Sequence, residues 1–218
     1  MALKEFLVLG AGVTGLTVAR ELLEKGENVI VIEKTGNVGG LAQSQVINGI
    51  SIDYGPHLFH TAHSEIIDYW RGLVGDSLCE KQFYAGNFQA GKIFDYPVNR
   101  ETISSQYSKQ EVDIIESQLN KTEAAKLSTA RNYHEYVRAL AGDFLAEKFF
   151  TRYPHKLWGM DTKELSAKFA PRRIDIREKR LPFHSGPGRF AGVIDGGCGQ
   201  LAQKLSERIH ELGGTIRF

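Results

Sequence analysis

The chain has little cysteine: Cys79 and Cys198 are the only two in 218 residues, and they stand far apart. That scarcity excludes a disulfide framework, and the spacing has nothing of a cysteine-based metal site, so no metal is expected and packing is the role expected of both thiols. Charge of one dominant sign is also missing, since 27 Lys and Arg stand against 26 Asp and Glu. Bulk electrostatics therefore names no partner, neither nucleic acid nor an anionic membrane. Long hydrophobic runs are absent as well. The apolar opening Phe6–Leu9 is broken at once by Gly10 and Gly12, far short of a membrane span and unlike a signal peptide, so the expected compartment is the cytoplasm. No repeat or low-complexity segment is present. What remains is an ordinary globular composition, 42% hydrophobic, long enough for one or two domains with their own core.

Phe6–Leu9 reads as a strand, Leu16, Ala19, Leu22 and Leu23 recur at helical spacing, Gly26 ends that helix, and Val29–Ile32 forms a second strand. From Gln43 the pattern turns to short alternating segments around Asn48-Gly49, a dipeptide suited to a type I′ hairpin. A second hairpin is expected from Gln82 to Phe94, turning near Gly91. Between about Arg100 and Ala170 glycines thin out and Tyr133, Val137, Leu140 and Phe144 recur as on a helix, which reads as a helical insertion. Near the end, Leu201, Leu205, Ile209 and Leu212 form one helix face, capped by Gly213-Gly214 and followed by a strand from Thr215.

Gly10, Gly12 and Gly15 make G-x-G-x-x-G between a strand and a helix, where glycines allow a tight turn, backbone approach to a pyrophosphate and close helix packing. Glu33 ends the second strand about 20 residues on, placed to accept adenosine ribose hydroxyls. A 2′-phosphate would repel this carboxylate, which argues against NADP. The fold class expected is α/β: a Rossmann-type FAD-binding βαβ domain with a mainly helical insertion. Its boundaries are read as 1–98 with 186–218 for the FAD-binding domain, its C-terminal part missing, and 99–185 for the helical substrate-domain insertion.

The choice of FAD over NAD rests on the segment just past Glu33-Lys34, Gly36-Asn-Val-Gly39-Gly40-Leu41. Here the sequence resembles the FAD-binding family that includes amine oxidases, protoporphyrinogen oxidases and UDP-galactopyranose mutases, which implies that Gly39-Gly40 lies against FAD phosphates. Tyr54-Gly55-Pro56-His57-Leu58-Phe59-His60-Thr61 resembles the mutase motif beside the isoalloxazine ring. The resemblance makes Gly55, His57, Phe59 and His60 flavin neighbours, with His57 and His60 assigned to catalysis. Asp95-Tyr96-Pro97-Val98-Asn99 with Thr102-Ile103 is similar to the segment before the mutases' helical domain. The run from Phe149 to Gly159 resembles the mutase stretch lining the uridine and sugar pocket, so Phe149, Phe150, Tyr153 and Trp158 are carried over as substrate-binding. Flat aromatics suit a uracil or a sugar face. Six basic residues fall between Lys168 and Arg180. Within them Arg173-Ile-Asp-Ile-Arg177 resembles the mutase strand whose arginine meets substrate phosphate, which gives Arg177 that role and a place among the catalytic residues.

There are departures. Pro154 stands where the mutases commonly have threonine, Phe183-His184 replaces a tyrosine-containing pair, and Gly196-Gly197-Cys198-Gly199-Gln200-Leu201 resembles the wider amine-oxidase-like group. The resemblance implies a redox-neutral interconversion of the pyranose and furanose forms of a UDP-sugar through reduced flavin, with a small nucleotide-sugar as partner; it also admits a homodimer. Two other readings stay open: an amine-oxidase-like FAD-dependent oxidoreductase, and a truncated non-catalytic FAD-binding fragment, since members of the family are longer.

Overall fold

The computed structural model describes residues 5–122, 124–172, 176–183 and 186–218, without the side chains of residues 124, 125, 171 and 172. The chain divides into two compact units, Met1–Phe83 with His184–Phe218, and Tyr84–Phe183.

The first unit begins with β1 (Glu5–Leu9), α1 (Val13–Glu24) and β2 (Asn28–Ile32). The two strands run parallel with Leu7 opposite Ile30, and α1 buries Leu16, Ala19 and Leu23, the helical period that its sequence carries. A hairpin follows, β3 (Ser44–Ile47) and β4 (Ile50–Asp53), with Ile47 opposite Ile50. It turns on Asn48 and Gly49, whose φ values of 52° and 80° are those that a type I′ turn requires. Then come β5 (Phe59–Thr61), α2 (Ser64–Val74) and β6 (Leu78–Glu80).

The second unit opens with its own hairpin, β7 (Ala85–Gln89) and β8 (Lys92–Tyr96), turning at Ala90-Gly91. Helices α3 (Arg100–Gln106), α4 (Lys109–Leu119), α5 (Ala124–Thr129) and α6 (Tyr133–Leu145) follow, then a π-helical turn (Ala146–Thr151) and α7 (Arg152–Trp158). Asn99 caps α3 by accepting the Thr102 N–H, and Ser108 with Glu111 forms a capping box on α4. Val98, Ile103, Ile115, Val137, Ala141 and Leu145 form this unit's core. The unit starts at Tyr84, not at residue 99. The reason is Phe94, 1% exposed, whose ring lies 5.2 Å from Tyr107 and 5.0 Å from Phe149, so the hairpin packs with the helices. The insertion is accordingly a hairpin plus helices.

The chain re-enters the first unit with β9 (Phe190–Ile194), α8 (Gly199–Glu211) and β10 (Thr215–Arg217). β9 lies between β5 and β6, antiparallel to both, and β10 pairs parallel with the free side of β2, giving the order β1-β2-β10. Leu201, Leu205 and Ile209 of α8 pack with Leu16 and Ala19 of α1 in one buried cluster. Among the described residues no helix is long and apolar enough to cross a membrane.

Candidate functional site

The glycine turn after β1 brings the fingerprint together. Gly10 sits at φ 97°, Gly12 is the N-cap of α1, and nothing lies within 4 Å of where a β-carbon would stand on either. The turn is therefore open above its backbone, at the N-terminal, partially positive end of a 12-residue helix. The second glycine pair closes on the first. Gly39 bridges to Gly12 and its N–H donates to the Ala11 carbonyl at 2.7 Å, while a β-carbon on Gly40 would stand 3.4 Å from the Gly12 Cα. Leu41, beside this pair, is 84% exposed, and Lys34 is exposed too.

Glu33 lies where the sequence puts it, at the end of β2 and buried. One carboxylate oxygen accepts the Ala11 N–H at 2.8 Å; the other accepts the Thr35 N–H at 2.8 Å and its hydroxyl at 2.9 Å. These donors all come from the chain itself and hold the carboxylate in one orientation. The Thr35 and Ala11 amides stabilise the ionised form and hold the Glu33 carboxyl below its ordinary range. Ala11 and Thr35, which the sequence does not single out, thus tie the acid to the glycine turn.

Gly55 and His57 lie in the loop between β4 and β5, and His60 is exposed on β5, its backbone in register with Ala191. Phe59 is core: it is buried and meets Trp70 edge-on at 5.0 Å, so it supports the loop from beneath. Under the loop is a polar cluster that sequence spacing cannot reveal. Asp53 accepts the Ser44 hydroxyl at 2.5 Å and the Cys198 N–H at 3.1 Å, and the Ser44 oxygen accepts the Gly199 N–H at 2.8 Å. Together they cap the start of α8. Burial, and then the Asp53 carboxylate, pushes the Cys198 thiol up to about 11.

The second unit contains a cavity of about 520 Å³, within the range of ligand pockets. Phe149, Phe150, Tyr153 and Trp158 all line it, joined by Phe169 and Phe183. Trp158 is held edge-on to Phe169 at 5.0 Å, yet remains 43% exposed. The π-helical turn sets this wall. Pro154 has no N–H to give the Phe150 carbonyl and its ring would clash there, so an α-helical ladder cannot run through, and the chain widens just before α7. Lys148 and Arg152 bring positive charge to the same cavity, and Asn87 and Gln89 bring amides. Arg177 is not among the cavity's described lining residues. Its backbone bridges Asn99 and donates to the carbonyl of Val98, a lining residue, at 3.0 Å. Residues 173–175 of its motif, the Arg172 side chain and His184 lie outside the described residues. Arg180, from the same basic run, pairs with Asp95 at 3.1 Å and stacks over Tyr84. A larger depression of about 730 Å³ on this unit carries Lys121, His134 and Arg138 but no Phe, Tyr or Trp to face a base.

The parallel strands β1 and β2, joined through a glycine turn and α1, form a βαβ arrangement of the Rossmann type, and the same chain carries a second unit with an aromatic cavity. Residues 8–73 match the family described as NAD(P)-binding Rossmann-like domain. The chain is 29% identical over 221 aligned positions to dTDP-fucopyranose mutase of Escherichia coli, a match taking in 93% of this chain and 54% of that protein. It is 28% identical over 184 positions to a protein named "probable UDP-galactopyranose mutase" from Klebsiella pneumoniae, with 80% of this chain and 46% of the other covered. The crystal structure of reduced UDP-galactopyranose mutase shares its fold, with a TM-score of 0.79 at 21% identity over 99% of this chain and 49% of that one. The chain is thus similar in sequence to these mutases, and it spans about half the length of the curated relatives it matches.

Proposed function

We propose that the first unit holds FAD and that the cavity of the second takes the nucleotide end of a nucleoside-diphosphate sugar. The chain then carries the cofactor- and substrate-binding parts of a flavin-dependent sugar-nucleotide mutase. The observation that carries the reading is the aromatic cavity: the four rings named from sequence line one space of ligand size. The cofactor fits the open backbone over Gly10 and Gly12, where a β-carbon would fill the space that a phosphate needs.

Reduced flavin, when bound, supplies the electron pair that displaces the nucleoside diphosphate from the anomeric carbon, with no net oxidation. The chain's own residues bind and orient. The α1 N-terminus and the Gly39-Gly40 backbone hold the pyrophosphate, and Glu33 faces the ribose. His57 and His60 flank the isoalloxazine ring. Tyr153 and Trp158 cover the base or sugar face, while Lys148, Arg152 and Arg177 neutralise the substrate diphosphate. We place the chain in the cytoplasm, in keeping with two free cysteines.

The relative named dTDP-fucopyranose mutase favours a second nucleotide reading, in which thymidine replaces uridine. Apolar rings such as Phe149 and Phe150 would tolerate the extra methyl group.

The test is an absorbance spectrum of the purified chain, followed by titration with UDP-galactopyranose and dTDP, read by tryptophan fluorescence in the wild type and Trp158→Ala. Bound flavin with nucleotide quenching that Trp158→Ala removes supports the reading, and the tighter nucleotide chooses between uridine and thymidine. Flavin without nucleotide binding rejects the substrate assignment, and absence of both rejects the whole.

A further inference from the structure

We propose that the carboxamide of Asn87 selects the nucleobase in the aromatic cavity, by pairing with N3–H and O4 on the imide edge of uracil or thymine. This role rests on the nucleotide reading of the cavity and names the side chain that chooses the base.

Ala85, Asn87 and Gln89 share one face of β7 through the two-residue period of a strand, and all three are half-buried, whereas Gly86 and Phe88 on the other face are exposed. Asn87 stands opposite Phe94 in the hairpin register, so the two side chains lie on the same face. Phe94 is buried and meets Phe149 at 5.0 Å, which makes this face the one that packs on the aromatic wall. A hairpin with one face on a core ordinarily turns its apolar residues inward and its polar ones outward. β7 does the reverse, with amides inward and Phe88 outward. A carboxamide among aromatic rings is costly unless it is hydrogen-bonded. Gln89 meets that need within the chain, since its Nε2 donates to the Lys148 carbonyl at 2.5 Å. The Asn87 carboxamide has no such bond among the described residues, and it lines the cavity.

The spacing agrees with a nucleotide lying along β7. Gln89 and Lys148 mark the end of the cavity where a diphosphate is neutralised. Asn87 lies two residues back along the strand, about 6.6 Å away. The ribose spans that interval, so a nucleotide whose diphosphate meets Lys148 brings its base to Asn87. The carboxamide then supplies one donor and one acceptor in a single plane: Nδ2–H donates to O4, and Oδ1 accepts from N3–H. The methyl group of thymine is on C5, outside this pair of contacts, so uracil and thymine are read alike.

Isothermal titration of the full chain with UDP, dTDP and CDP tests the assignment through Asn87→Asp. A carboxylate only accepts; it loses O4 of uracil and keeps a partner in the amino group of cytosine. UDP affinity should fall at least about tenfold, and the UDP-to-CDP affinity ratio should move toward CDP by at least about as much. A residue that merely shaped the hairpin would weaken both nucleotides equally. An unchanged ratio in the folded variant, with UDP still bound by the wild type, overturns the role of Asn87 and leaves the nucleotide reading standing. No binding of UDP or dTDP to the wild type overturns both. If circular dichroism shows that Asn87→Asp does not fold, UDP methylated at N3 decides. The wild type should bind it at least about tenfold more weakly than UDP, and equal binding overturns the assignment.

Discussion

A β-carbon added to Gly15 would lie 2.0 Å from the carbonyl oxygen of Gly10 and 3.3 Å from a methyl group of Val8. The third glycine of the fingerprint is thus where α1 rests on the turn that feeds it. That contact keeps the helix N-terminus directly above β1. The second glycine keeps the backbone bare, and the amide of Ala11, between the first and second glycines, reaches Glu33 at 2.8 Å. Turn, helix end and acid form one rigid piece.

Gly15→Ala should therefore destabilise the chain by about 2–4 kcal/mol, because the new atom meets backbone that cannot rotate away. Urea unfolding followed by circular dichroism measures it. A midpoint equal to the wild type would show that the turn relaxes and that the packing argument is wrong.

Removing the acid tests the cofactor assignment. Glu33→Ala should weaken FAD binding at least about tenfold, the scale of one lost charge-assisted hydrogen bond. Flavin titration by fluorescence gives the number, and unchanged affinity would remove the ribose role from Glu33.

The same residue predicts a pH dependence. The Thr35 and Ala11 amides lower the Glu33 carboxyl in the folded chain. Its contribution is therefore fully present above its unfolded value of about 4.3 and is lost as pH falls through the lower folded value. The stability difference between wild type and Glu33→Gln should stay flat near neutrality and narrow in acid. A difference that grows in acid would reverse the sign of the shift.

Two rings of the aromatic cavity should behave differently. Trp158, 43% exposed, should be replaceable by alanine with little loss of stability, while nucleotide affinity falls about 5–100-fold, as for a lost base–aromatic stack. Phe150, 8% exposed and part of the second core, should cost about 3–5 kcal/mol as alanine. Isothermal titration and thermal melts separate the two; equal destabilisation would mean that Trp158 is structural.

Ser44→Ala removes both the Gly199 cap and the donor to Asp53, and should cost about 1–2 kcal/mol. Amide exchange should quicken in the first turn of α8 more than at its C-terminal end. Uniform quickening would mean that the cap is not local.

Local order was legible from the residues themselves. Glycines with their required geometry, an Asn-Gly turn and helical spacing at Leu16, Ala19, Leu201 and Leu205 each act within a few positions, so β1-α1-β2, the β3–β4 hairpin and α8 could be read directly. The aromatic run from Phe149 to Trp158 was singled out by its resemblance to the mutases, and its rings line one cavity.

Tertiary structure decided what distance along the chain conceals. Phe94 assigns the β7–β8 hairpin to the second unit through contacts with Tyr107 and Phe149, and no local pattern carries that preference. Phe59 turns to Trp70 and becomes core, since alternation along a strand of three residues is too short to say which face is buried. Asp53 and Cys198, 145 positions apart, meet only because β9 inserts between β5 and β6 and returns α8 to the hairpin. The sequence by itself determined the glycine turn and the place of Glu33 at the end of β2, because backbone sterics and short-range periodicity are local. The partners of Glu33, the domain boundary and the Asp53–Cys198 contact were settled only by the fold, because burial and pairing depend on which distant segments share one core.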